Sequence, residues 1–155
     1  MPLTELFAGR DIDLDALYER MSGLMQAEGL EYGRRTHTYN SRLAQELGKW
    51  ADTQPGGDAL HTLLYRAYFV EGQNIGSTDV LVALVGRAGL PAGEAQAVLT
   101  ERRFREAVDA DWMKSREYGI RGVPAFVAGG YAVTGAQPYT TLEAFIEHVR
   151  QAQIV

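Results

Sequence analysis

The chain has 155 residues, 46% of them hydrophobic, enough for one globular domain, and its net charge of −5 provides no basic surface for nucleic-acid phosphates. No apolar run approaches the roughly 20 residues that span a bilayer. Met1 to Asp15 alternate apolar and charged positions instead of forming a signal-peptide core, so no membrane partner and a cytoplasmic location are expected. The chain contains no cysteine, hence no thiol nucleophile, and His37, His61 and His148 lack metal-ligand spacing, so neither a redox-catalytic residue nor a metal site is expected.

Residues 1–11 form a leader. From Leu14 the apolar residues Leu17, Tyr18, Met21, Leu24 and Met25 follow the three-four spacing of an amphipathic helix, with Asp11 or Asp13 as its cap and Gly29 as its end. A polar stretch, Glu31 to Thr38, precedes a second helix through Leu43, Ala44, Leu47, Trp50 and Ala51, capped by Asn40 or Ser41 and stopped by Pro55-Gly56-Gly57. Asp58 opens a third helix, with Leu60, Leu63, Leu64, Ala67 and Tyr68 on one face. Ser77 or Thr78 caps a fourth, Ala92 to Leu99 makes a fifth after Gly89 and Pro91, and Arg102 to Tyr118 a sixth. Nothing in this span reads as a strand. The spacing of Trp50, Tyr65, Tyr68, Phe69 and Trp112 points to core packing, and the mixed-sign run Glu101 to Glu106 reads as a solvated helix face.

After Gly122 the period changes. Ala125 to Ala128 and Tyr131 to Thr134 read as two strands joined by Gly129-Gly130, a pair suited to the primed turns that match strand twist. Pro138 starts a last helix whose stripe is Leu142, Phe145, Ile146 and Val149. A two-stranded apolar hairpin is marginal alone, so a further strand, or self-association through the hairpin edge, is expected.

Gly122-Val123-Pro124 joins a helix end to a strand start. A cis bond at Val123-Pro124 would leave the backbone of Val123 exposed at the sheet edge, able to pair with an extended peptide or glutathione; an ordinary trans proline opening a strand is the alternative, and the residues leave both open.

The segment Tyr118-Gly-Ile-Arg-Gly-Val-Pro-Ala-Phe-Val, followed by Tyr131-Ala-Val-Thr-Gly-Ala-Gln-Pro138, resembles the C-terminal thioredoxin half of the DsbA-type disulfide oxidoreductases, in particular their FrnE-like branch. Thr38-Tyr-Asn-Ser-Arg-Leu-Ala and Leu64-Tyr-Arg-Ala-Tyr-Phe-Val-Glu-Gly-Gln-Asn-Ile resemble that branch's helical insertion. The resemblance implies an α/β fold that is mostly α: an incomplete thioredoxin fold with a helical insertion at 12–118, then a hairpin and C-terminal helix at 119–155. It implies a truncated form, since in the family a strand, a C-x-x-C helix and a second strand precede the matched segment. It also implies that Val123 and Pro124 hold the substrate, a protein or small thiol, while Asn40 and Arg42 line the pocket. Gln137, in Gly135-Ala136-Gln137-Pro138, is a further binding candidate, because the free N–H groups before a helix can receive a carboxylate such as that of glutathione. The serine-dependent relatives, glutathione-dependent isomerases and kappa-class transferases, carry their reactive serine in the absent segment, and Ser22, Ser41, Ser77 and Ser115 do not match it. The functional expectation is a disulfide-oxidoreductase family protein without thiol chemistry of its own. The alternatives are a redox-dead peptide- or partner-binding module and a relative of the glutathione-dependent enzymes.

Overall fold

Leu47, Trp50 and Ala51 fall one helical turn apart and are almost wholly buried, anchoring helix α3 (Arg42–Ala51) at the centre of a helical core. Asn40 starts this helix, its Oδ1 accepting the Arg42 N–H at 2.9 Å, while the Ser41 hydroxyl accepts from the Gln45 amide side chain at 2.9 Å. Around α3 pack α4 (Asp58–Phe69) through Leu60 and Ala67, α5 (Thr78–Arg87) through Leu81, Leu84 and Val85, and α6 (Ala92–Glu101) through Ala95, Val98 and Leu99. Each fully buried leucine in this cluster contributes about 1.5–3 kcal/mol. The Trp50 indole N–H donates to Oε1 of the exposed Glu94 at 3.1 Å, so its polar edge is satisfied at the rim of the core.

The computed structural model describes residues 1–152. The chain forms two compact units, Met1–Val108 and Asp109–Val155. In the first, the leader contains a short helix α1 (Leu3–Leu6), and Pro2 pairs with His37 in an isolated antiparallel bridge where the sequence suggests no extended pairing. Helix α2 (Leu14–Ala27) is capped by Asp13, whose carboxylate accepts from the Asp15 and Ala16 amides. Its apolar stripe contributes no buried residue, and Leu17 and Leu24 are exposed. Of the aromatic set expected in the core, Trp50 is buried and Tyr68 packs partly against the cluster. Tyr65 and Trp112 are exposed instead. Tyr65 projects from the side of α4 away from Leu60 and Ala67, and α7 (Arg105–Glu117) buries only Val108.

Helix α6 ends at Arg102, whose φ of 55° is left-handed. A non-glycine residue in this region costs about 1–2 kcal/mol. The conformation accompanies two hydrogen bonds from the Arg102 guanidinium to Glu46.

In the second unit, β1 (Ala125–Ala128) and β2 (Tyr131–Thr134) pair antiparallel with Phe126 opposite Val133 and Ala128 opposite Tyr131. Gly129 and Gly130 both have positive φ, 57° and 84°, as a two-residue primed turn demands. Helix α8 (Tyr139–Ala152) buries Phe145 and Val149, and its His148 ring meets Tyr131 edge to face at 4.6 Å. Ile146, expected in the buried stripe, is exposed: with two strands beneath it, α8 has only Phe145 and Val149 well covered. No helix among the described residues is long and apolar enough to cross a membrane.

Candidate functional site

The loop before β1 begins where α7 closes, with the Gly119 N–H on the Arg116 carbonyl and the Ile120 N–H on the Ser115 carbonyl. The chain then runs through Gly122 to Val123, the most solvent-accessible large hydrophobic residue among those described, at 89% exposure. The Val123-Pro124 peptide bond is cis. The Pro124 carbonyl accepts the Gly135 N–H at 2.8 Å, drawing the loop after β2 alongside this turn. Among the described residues neither backbone group of Val123 has a backbone partner. An apolar side chain and two free backbone groups thus stand together at the start of an edge strand, the arrangement by which an extended peptide adds to a sheet.

The five sequence-selected positions divide between the units. Val123, Pro124 and Gln137 lie in the second, where Gln137 Nε2 donates to the Thr134 carbonyl at 2.8 Å and so tightens the turn before α8. Asn40 and Arg42 lie in the first. The Asn40 side chain is engaged in starting α3. Arg42 is held by Glu46, Nε to Oε1 at 2.8 Å, and donates from Nη2 to the Arg105 carbonyl at 2.8 Å.

Glu46, not among the residues singled out from sequence, is 1% exposed and lies between two guanidiniums. Hydrogen bonding from Arg102 foremost, and then from Arg42, holds its carboxyl below the usual range for glutamate, against the upward push of burial. Its signal in the sequence is an acid at the helical spacing of Leu43, Leu47 and Trp50, inside an apolar stripe. Arg102, read as part of a solvated face, is instead the main partner of this buried acid. Among the described residues no group of three or more His, Asp or Glu side chains could hold a metal ion.

A helical region followed by a cis-proline loop, a two-stranded β-hairpin and a closing helix is the layout expected of an incomplete thioredoxin fold with a helical insertion. The family model for the DSBA-like thioredoxin domain matches residues 5–147, and the chain belongs to that family. A probable DsbA oxidoreductase from Streptomyces coelicolor superposes with a TM-score of 0.82 at 31% identity, over 99% of this chain and 68% of its own. A 2-hydroxychromene-2-carboxylate isomerase superposes at 0.74 over 92% of this chain and 70% of its own; at 18% identity that likeness concerns the fold. YwbO of Bacillus subtilis (strain 168), an uncharacterized protein, is 31% identical over 102 residues, 64% of this chain. The chain spans about half the length of that curated relative.

Proposed function

We propose that this chain is the substrate-holding part of a DsbA-type thiol–disulfide oxidoreductase of the FrnE-like branch, with 12–118 as its helical insertion and 119–155 as its C-terminal thioredoxin half. The observation that carries this reading is the exposed Val123 with its free backbone groups beside Pro124, in a chain of the DSBA-like family. An extended protein segment or a small disulfide pairs with Val123, and Gln137, in the same unit, shapes the surface beside it. In the exchange itself a thiolate attacks one sulfur of the bound disulfide, a new S–S bond forms, and the other sulfur leaves as a thiolate. The attacking sulfur cannot come from these residues, which contain no cysteine, so it is supplied by a segment or chain beyond them. A cysteine-free composition suits a reducing, cytoplasmic setting.

The test has two arms. Insulin reduction by this chain alone stays at background, and turnover above background overturns the argument from cysteine absence. Titration of the isotope-labelled chain with oxidised glutathione, or with an extended peptide carrying a blocked cysteine, shifts the Val123 and Ala125 amide signals first. Shifts elsewhere with none at these two overturn the grip.

A second reading, a redox-inactive binding module, is favoured by the two-stranded sheet and by the uncovered side of α8, where Tyr139, Leu142 and Ile146 line a groove edged by Glu143, Glu147 and Arg150. On that reading a second copy pairs along β1. A strictly monomeric species by light scattering, with one cooperative melt, overturns it.

A further inference from the structure

Arg35 lies in the extended segment between α2 and α3, and its guanidinium carbon sits 4.5 Å from the centre of the Tyr68 ring and 5.1 Å from that of Phe69. These two rings meet edge to face at 4.8 Å, so the guanidinium rests on a built aromatic floor. The floor is braced from three sides. Tyr39 packs edge-on against Tyr68 at 6.4 Å, the Thr38 hydroxyl lies 3.3 Å from the Tyr68 phenol oxygen, and Tyr65 stacks on Phe69 at 6.2 Å. The segment carrying Arg35 is also fixed along its backbone, by Gly33 N–H on the Phe69 carbonyl and by Leu3 N–H on the Thr36 carbonyl, each at 2.9 Å.

Arg35 differs from the other anchored arginines of this unit in its charge balance. Arg34 is paired with Asp15, Arg66 with Glu31 and Glu71, Arg42 and Arg102 with Glu46. Among the described residues Arg35 has no carboxylate partner, and its buried Nε has no hydrogen-bond partner at all. Ring faces attract the cation but are only weak acceptors for its N–H groups. The Nε is therefore buried and left unpartnered, a cost usually avoided at half-buried positions.

We infer that Arg35 is the receptor for a carboxylate ligand, which takes two parallel hydrogen bonds from Nη1 and Nη2 while its apolar part lies against the exposed ring of Tyr65. A singly charged, planar group fits this site better than phosphate. A lone guanidinium matches one carboxylate in charge and shape, whereas a chain of net charge −5 disfavours a dianion. The carboxylate comes from a free small molecule or from a peptide C-terminus. This inference is independent of the grip at Val123.

The test is a titration of the full chain followed by NMR of the arginine Nε–H signals and the tyrosine ring signals, with the Arg35 signal assigned by its loss in Arg35→Lys. The probes are benzoate, an acetylated tripeptide with a free C-terminus, the same tripeptide amidated, and inorganic phosphate. Benzoate or the peptide acid shifts the Arg35 and Tyr65 signals saturably, with a dissociation constant of about millimolar order. Arg35→Lys weakens that binding roughly tenfold through loss of the two-point geometry, and Arg34→Lys leaves it unchanged. Saturation by benzoate identifies a small-molecule carboxylate; saturation by the peptide acid alone identifies a C-terminus. The inference is overturned if the amide binds as well as the acid, if phosphate binds tighter than both carboxylates, if Arg35→Lys binds unchanged, or if no carboxylate saturates. Should Arg35→Lys fail to fold, the acid–amide comparison on the unaltered chain decides the matter by the same criteria.

Discussion

Replacing Glu46 by glutamine removes one negative charge from a point where two guanidiniums converge and almost no water reaches. Breaking a buried ion pair by deleting one partner costs about 3–5 kcal/mol, because the other charge is left uncompensated. Here the lower end applies, since the Arg102 side chain is 41% exposed and regains solvent, whereas that of Arg42, at 17%, keeps the Arg105 carbonyl as a partner. Glutamine retains one acceptor oxygen, worth about 1 kcal/mol as a neutral hydrogen bond, leaving a net loss of about 2 kcal/mol. For a chain of this size that lowers the melting temperature by about 4–8 °C. The pH dependence gives a second check. Because the Glu46 pKa is lowered in the folded state, the carboxylate's contribution is complete above the unfolded value of about 4.3 and disappears as pH falls through the folded value. Thermal melts of both proteins should therefore run parallel from neutral pH down to about pH 5 and converge in more acid solution. An unchanged melting temperature in Glu46→Gln, or a gap that widens on acidification, refutes the reasoning.

Two further substitutions probe the first unit. Gly33→Ala places a Cβ 2.0 Å from the Val70 carbonyl oxygen, a backbone atom with no flexible end to yield, and should lower the urea midpoint by the equivalent of about 3 kcal/mol. A wild-type midpoint would show that the Gly33 crossing relaxes freely. Asp13→Ala removes both hydrogen bonds at the start of α2 and costs about 1 kcal/mol. Because α2 buries no residue, the loss should appear as local fraying, with far-UV circular dichroism reduced and the main unfolding transition unmoved.

The helices were legible because their apolar residues repeat at three and four positions, and the hairpin because two adjacent glycines sit between two short apolar runs. The Glu46 cluster was not, since its main pair joins residues 56 apart and only packing brings the end of α6 to α3. Arg35 was hidden for the same reason, its aromatic floor being built from the far end of α4. Ile146 was misplaced because a helical stripe specifies which residues share a face without specifying what covers them. At the candidate grip, the sequence located Val123 and Pro124 by their motif, but left the peptide geometry open.

The bond from Gly135 N–H to the Pro124 carbonyl sets the phase of the whole hairpin. It flanks the Ala125–Thr134 pair, which is therefore the non-bonded kind, and by alternation Phe126 and Val133 exchange both bonds. Every second amide then faces outward, Ala125 and Val127 along one edge, Ala132 and Thr134 along the other. In deuterated water these four amides lose their protons quickly, while those of Phe126 and Val133 lose theirs slowly. Whatever binds β1 retards Ala125 and Val127 alone, so the hairpin records which of its edges is occupied, with no catalytic turnover needed to read it.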